Sequence, residues 1–134
     1  MADLGLAQAF ARYGAKLKNR QWSVCALASN GDLVVSQWNH DYTMIDSNTG
    51  ETRDHLSRWS GHGNRELRDA IDEAFKSGRK VRLVMAYAAD PGYVKSGQDA
   101  SKVKKTYDVK PAWMGKVVSF DGDEYVIRFV REMV

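Results

Sequence analysis

The sequence predicts an α+β fold in which two α-helices pack against a mainly antiparallel sheet built from hairpins. Three observations favour this class: two segments carry apolar residues at helical spacing, several short segments have the apolar pattern of strands, and turn motifs separate neighbouring strands. A length of 134 residues with 43% hydrophobic residues is typical of one folded unit. We therefore expect residues 1–134 to form a single compact domain.

The first helix is predicted from Asp3 to about Lys18. Four apolar side chains recur at helical spacing and fall within one narrow arc, as expected for a helix that packs on a core. These side chains are Leu6, Phe10, Tyr13 and Leu17.

The segment QWSVCALASNGDLVVSQW predicts two strands joined at Asn30-Gly31, because Asn-Gly readily adopts the positive φ angles of a two-residue type I′ turn. Pairing about this turn places Cys25 on the same face as Val34. Both faces of the strand pair are largely apolar, so we expect a helix to cover at least one side.

Residues 41–59 are predicted to continue the meander as two shorter, more polar strands around turn residues 47–50. An irregular excursion is the alternative interpretation of this stretch.

The second helix is predicted to begin with Asn64 as its N-cap and to end at Gly78 as its C′ residue. Between these residues, apolar side chains follow the i, i+3, i+4 spacing of a helix face that packs on a core. They are Leu67, Ala70, Ile71, Ala74 and Phe75.

Two further regions complete the prediction. KVRLVMAYAA is a strongly apolar strand, and the turn DGD at residues 121–123 joins the last two strands as a hairpin. Between them, residues 90–106 read as a long loop rich in glycine, serine and lysine, with a short helix from Asp99 to Lys105 as the alternative. Loops of this length are usually functional or mobile.

The chain is expected to reside in the cytoplasm. Cys25 is the only cysteine, so the chain cannot form an internal disulfide bond, and we interpret this residue as a buried small hydrophobe. No stretch reaches the apolar length of a membrane span, and the first residues lack the pattern of a secretory signal.

Basic residues are unevenly distributed along a chain whose net charge is only +3. Residues 58–82 carry seven basic and four acidic side chains, and residues 95–116 carry six and two. Such segregation favours a local basic surface, which is the electrostatic footprint of phosphate-bearing partners. Ordinary solvated faces are the alternative.

The stretch RDHLSRWSGHGNRELRDAI suggests an anion site at the start of the second helix. Unpaired backbone N–H groups and the helix dipole favour anions there, and Arg58, His62, Arg65 and Arg68 supply further donors. The alternative is that Arg65 and Arg68 only form i, i+4 ion pairs with Asp69 and Asp72.

Among anionic ligands, nucleic acid accounts for both features of the sequence, because basic residues adjoin aromatic residues that can stack on bases. The candidate binding residues are Arg58, Trp59, His62, Arg65, Arg68, Lys95, Lys102, Lys104 and Lys105. The other three tryptophans, Trp22, Trp38 and Trp113, are interpreted as core residues.

Two other classes of function stay open. Strands that look apolar on both faces suggest a non-catalytic protein-interaction or homo-oligomerisation module. For an enzyme, Asp90, Asp108 and Lys110 resemble the PD-(D/E)xK pattern of metal-dependent nucleases, although the order here is Asp-Pro. The other enzymatic candidate is a small hydrolase with His62 as acid or base.

No cofactor or resident metal is predicted. Five possible ligands lie in one region, but their spacing matches no known metal motif. They are His40, Asp41, Asp54, His55 and His62.

Overall fold

Eight β-strands and three α-helices form the part of the chain that the computed structural model describes, residues 5–97 and 103–132. The strands are β1 (Cys25–Leu27), β2 (Leu33–Trp38), β3 (Tyr42–Asp46), β4 (Thr49–His55), β5 (Val81–Ala88), β6 (Lys105–Val109), β7 (Trp113–Phe120) and β8 (Glu124–Arg131). The helices are α1 (Leu6–Ala11), α2 (His62–Ser77) and α3 (Pro91–Lys95). The mixed fold with one mostly antiparallel sheet confirms the predicted class.

The prediction of two helices and an unbroken loop over residues 90–106 is wrong, because α3 forms within that stretch. Asp90 caps this helix by accepting a hydrogen bond from the Tyr93 N–H (3.1 Å), and Pro91 occupies the first helical position, which it favours. Lys105 already belongs to β6, so the alternative helix from Asp99 to Lys105 does not extend to its predicted end. The rest of that helix overlaps residues 98–102, which lie outside the described residues.

The sheet has the strand order β1-β2-β5-β7-β8-β4-β3, and β6 pairs with β5 beside this path. β2 and β5 run parallel, whereas the other described pairs are antiparallel. The prediction that the β3–β4 hairpin continues a meander from β2 is wrong, because this hairpin lies at the opposite edge of the sheet, where β4 pairs with β8. Burial explains this order: β2 is nearly enclosed and pairs with the equally buried β5, while the exposed β3 suits an edge.

The β1–β2 turn differs from the predicted two-residue turn. Gly31 has a φ of 92°, and no non-glycine residue in the described part of the chain has a positive φ. The Ala28 N–H donates to Asp32 O and the Gly31 N–H to Ala28 O, which closes a three-residue loop with glycine in the left-handed position. The shift of one residue places Cys25 opposite Val35, so the predicted faces are exchanged.

The first helix ends at Ala11, and its predicted extension to Lys18 is wrong. The chain turns at Gly14, which has a φ of 74°, and Ala15 then forms an isolated antiparallel bridge with Ala28. Leu17 is still buried, but it reaches the core from an extended segment that runs beside β1. Apolar spacing therefore continued past the point at which the backbone left the helix.

Two core clusters lie on opposite faces of the central strands. In the larger cluster, Leu67 and Ile71 of α2 pack with residues such as Leu83 of β5. In the smaller cluster, Phe10 of α1 packs with Val34 of β2. No described helix has both the length and the apolar character that a membrane crossing requires.

Cys25 belongs to the larger core cluster, as expected for a buried small side chain. Burial, with a smaller contribution from nearby Glu66, raises the pKa of its thiol to about 12. The thiol is therefore protonated at neutral pH.

The start of α2 also differs from the prediction. The helix begins at His62 with Gly61 as its N-cap, and it ends at Gly78 in the left-handed conformation. Asn64 is instead buried, and its Nδ2 donates to Leu56 O at 2.8 Å. A Cβ at Gly63 would overlap with the carbonyl oxygen of Trp22, so only glycine allows the helix to approach that segment so closely.

We expect Gly63→Ala to lower the free energy of unfolding by about 2 kcal/mol, because the added methyl group forces α2 away from Trp22. Urea denaturation measures the loss. The matched control is Gly92→Ala in α3, where the new Cβ meets its nearest atom at 3.5 Å and should leave stability nearly unchanged. Equal stability of the two variants would contradict the close approach.

Candidate functional site

A cavity of about 520 Å³ opens at the carboxyl ends of the parallel strands β2 and β5. This end of a parallel strand pair is a frequent location for binding sites, because the chain leaves both strands there and opens a crevice. β2 contributes Ser36, Gln37 and Trp38, and β5 contributes Ala86. The remaining wall comes mainly from residues 20–24, residues 58–60, β6 and β8, with single residues from α1, β4 and α2, and Gly97.

Three tryptophans and two tyrosines line this cavity. They are Trp22, Trp38, Trp59, Tyr107 and Tyr125. Trp22 and Trp38 are partly buried but belong to neither core cluster, so the interpretation of these two residues as core is wrong. Trp113 does pack against the larger cluster. The two misassigned tryptophans thus present aromatic surface to an open space.

Neighbouring histidines support these two tryptophans. The rings of Trp38 and His40 are stacked, with centroids 5.6 Å apart and an interplanar angle of 15°. The rings of Trp22 and His62 lie 5.4 Å apart at 38°. Each tryptophan is therefore held in place on one side.

An ion pair between Asp54 and Arg58 forms part of the floor. Arg58 Nε and Nη2 donate to the two carboxylate oxygens of Asp54 at 2.9 and 2.8 Å, and Arg58 Nη1 donates to Val94 O at 3.2 Å. The side chains are only 16% and 8% exposed. Asp54 therefore neutralises Arg58, which the sequence predicts as an anion donor.

A second polar contact crosses the floor between β2 and β8. Gln37 Nε2 lies 3.1 Å from Tyr125 Oη, and Gln37 Oε1 lies 3.2 Å from the same hydroxyl. Burial is the main cause that raises the pKa of Tyr125 far above its usual value. The hydroxyl is thus a neutral group that can both donate and accept.

His40 and Asp41 lie behind the cavity wall, in a short 3₁₀ helix. Burial, and then nearby Asp54, raises the pKa of Asp41 to about 6. Burial, followed by the positive charges of Lys95 and Arg58, lowers the pKa of His40. His40 Nε2 is buried without a hydrogen-bond partner among the described residues and lies 3.8 Å from Asp41 Oδ2.

Four cations line the cavity or lie within two residues of its lining, and we call them the rim cations. Arg20 and Lys105 line it directly, and Lys104 is exposed beside Lys105. Lys95 is exposed and close enough to affect the pKa of both His40 and Asp41. Within residues 5–97 and 103–132, no ion pair involves Arg20, Lys95 or Lys104. Their charge remains available at the rim.

The predicted arginines of α2 point elsewhere. Arg65 Nη2 contacts His62 Nδ1 at 2.7 Å, and Arg68 Nη1 donates to Gly122 O at 2.8 Å in the β7–β8 turn. The alternative i, i+4 pairs with Asp69 and Asp72 are not among the ion pairs of the described residues, and Asp72 instead accepts from Lys76 at 2.9 Å. Neither arginine lines the cavity.

Of the remaining predicted residues, Trp59 and Lys105 line the cavity, and His62 contacts a cavity tryptophan. Lys102 lies outside the described residues. The sequence interpretation missed Trp22 and Trp38, although the correct hairpin register could have revealed them. Cys25 pairs with Val35, and the Ser36 N–H donates to Val24 O, so Trp22 and Trp38 follow at the same end of the strand pair.

The residues proposed for a nuclease are arranged differently from the predicted pattern. Asp108 lies opposite Met85 in the middle of β5 and contacts Lys110 at 3.2 Å, whereas Asp90 follows the end of β5 and caps α3. In the described part of the chain, no three His, Cys, Asp or Glu side chains form a group that could hold a metal ion.

We expect Arg58→Met to lower the free energy of unfolding by about 3 kcal/mol, because the charge of Asp54 is left buried without its partner. The double variant Asp54→Asn/Arg58→Met should recover part of that loss in urea denaturation. The control is Arg53→Met, which breaks an exposed pair with Glu124 and should cost less than about 1 kcal/mol. Equal losses for both arginines would contradict a structural role for the buried pair.

We expect Asp41→Asn to stabilise the protein above pH 6 and to have little effect at pH 4. When folding raises the pKa of a carboxyl, the protein loses stability as the pH increases from the unfolded pKa of that group, about 4, to its folded pKa, about 6. After solvent screening, the gain should be on the order of 1 kcal/mol. Denaturation of both proteins at pH 4 and pH 7.5 measures it, and a gain confined to pH 4 would contradict the assignment.

Comparison with known proteins does not assign a function to the cavity. No protein-family model matches the chain, and no curated protein or solved structure is significantly similar to it. The function has to be inferred from the side chains themselves.

Proposed function

We propose that the protein binds nucleic acid through the aromatic cavity and the cations at its rim. The observation that carries this proposal is the position of Trp22 and Trp38, which lie outside both core clusters and line a cavity that basic side chains also border. Nucleic acid is a ligand that combines planar aromatic groups with regularly spaced negative charges.

The aromatic lining suits unpaired bases. Every base has a π-face, and stacking on an aromatic side chain contributes about 1–3 kcal/mol per base without requiring a particular sequence. Tryptophan offers the largest such surface among the side chains. Trp22 and Trp38 therefore supply a stacking surface that a core role does not explain, and Trp59, which also packs against the larger core cluster, adds to it.

The charges around the cavity favour an anionic ligand over a cationic one. An aromatic cavity with a carboxylate is also typical of sites for methylated ammonium groups. Here, however, Arg58 neutralises Asp54, and Arg20, Lys95 and Lys104 add positive charge at the rim. This field repels cations and attracts phosphates.

A homo-oligomerisation module is the second candidate function, supported by the edge strand β3. Met44 and Ile45 are 49% and 53% exposed in that strand, and its sequence has neither the lysine nor the proline that commonly protects an edge. Size exclusion with light scattering tests this candidate, and a monomer at all concentrations would contradict it.

We expect the double variant Lys95→Gln/Lys104→Gln to weaken binding of both labelled DNA and RNA oligonucleotides. Loss of phosphate contacts should lower the slope of log affinity against log salt by about 1 to 2, with little change in sequence preference. Fluorescence anisotropy at several salt concentrations between about 50 and 200 mM measures the slope.

The matched control is Lys80→Gln, which removes the same charge from an exposed lysine that precedes β5, at the end of the strand remote from the cavity. It should leave the slope unchanged. Absence of detectable binding by the wild-type protein at the lowest salt concentration would remove the proposal.

A further inference from the structure

We infer that the cavity accepts one unpaired base at a time, displaced from the path of its strand, instead of offering an open platform to a row of stacked bases. This inference deepens the proposed function and rests on it. It concerns the form of nucleic acid that is recognised and the manner in which the base is held.

The first step is the enclosure of the aromatic rings. Open stacking platforms expose several ring faces along a groove, so that successive bases lie side by side. Trp22, Trp38 and Trp59 are all partly buried and face one common space of about 520 Å³. Volumes of this size are typical of sites that enclose a single small molecule.

The second step is the polar floor beneath the rings. Gln37 and Tyr125 are 4% and 1% exposed, and their side-chain groups contact each other across the bottom of the cavity. Asp54 and Arg58 lie beside them. An apolar cavity with a few buried polar groups at its base can orient the hydrogen-bonding edge of a heterocycle, as enzymes that take a base out of the stack do.

The third step is the position of the cations. Arg20 and Lys105 line the mouth, and Lys104 adjoins Lys105, while the floor pair Asp54–Arg58 is electrically neutral. A base that enters such a cavity leaves its flanking phosphates outside, where the rim cations can contact them. The neutral floor of the cavity thus suits a base, and the basic rim suits the phosphates that flank it.

The test compares oligonucleotides that differ only in the presence of one base. Each carries A, C, G, or T (U in RNA) at a central unpaired position, or an abasic residue there, and is measured both as a single strand and in a duplex. For at least one base, we expect the abasic residue to lower the affinity of the wild-type protein about 10- to 100-fold. Intrinsic tryptophan fluorescence should be quenched only when the base is present.

Variants identify the rings responsible. In Trp22→Ala, the base-containing and abasic oligonucleotides should bind with nearly equal affinity, while the salt dependence stays as in the wild type. Trp113→Phe is the matched control, because Trp113 packs on the larger core and does not line the cavity. Trp38→Leu is the second variant if Trp22→Ala does not fold, and the wild-type comparison requires no variant.

Each outcome decides between named alternatives. Salt-dependent binding that is indifferent to the abasic residue overturns single-base capture and leaves nucleic-acid binding intact. If the abasic residue lowers the affinity of Trp22→Ala as much as that of the wild type, the assignment of Trp22 as the stacking ring is overturned. Absence of binding to every oligonucleotide overturns the proposed function as well, and fluorescence quenching by a trimethyllysine peptide alone would identify a cation cage.

Discussion

The buried ion pair between Asp54 and Arg58 is the contact on which the geometry of the cavity depends. Asp54 belongs to β4, Arg58 lies in the turn before α2, and the third contact of the guanidinium reaches Val94 in α3. One side chain therefore joins three separate segments around the floor. Burying two charges has a large desolvation cost, which the bidentate geometry offsets, and the pair leaves the floor without net charge.

The cavity exists because the strand pairing of β1 ends early. The Ser23 N–H donates to Asn19 O in a turn, so β1 begins only at Cys25, while β2 continues to Trp38. Trp22 and Trp38 consequently lie beyond the paired part of the hairpin, at the carboxyl end of β2. The two core clusters fill the faces of the sheet elsewhere, and at this end aromatic side chains line an open cavity.

Local patterns in the sequence were sufficient for the fold class, for the body of α2 and for β5, since each has a strong apolar period of its own. They were insufficient wherever a contact between residues far apart in the sequence determines the strand register or the strand order. Asn30-Gly31 is compatible with a two-residue or a three-residue loop, and the two loops place opposite faces of β1 against the same face of β2. The predicted two-residue loop therefore did not indicate that Trp22 and Trp38 line the same cavity. The placement of the β3–β4 hairpin depends on β8, which begins at Glu124, far along the chain from His55 at the end of β4. The charge pattern included Lys105, which lines the cavity, but it did not indicate the partner of Arg58.

The cavity draws its floor from strands that lie far apart in the sequence. Gln37 belongs to β2, whereas Tyr125 belongs to β8. One edge of β4 also stays unpaired until β8 has been synthesised. During synthesis on the ribosome, the aromatic walls contributed by the first sixty residues emerge long before the base of the pocket can be assembled. A chain that ends before β8 therefore lacks Tyr125 from the floor of the cavity and exposes the edge of β4 that β8 otherwise covers.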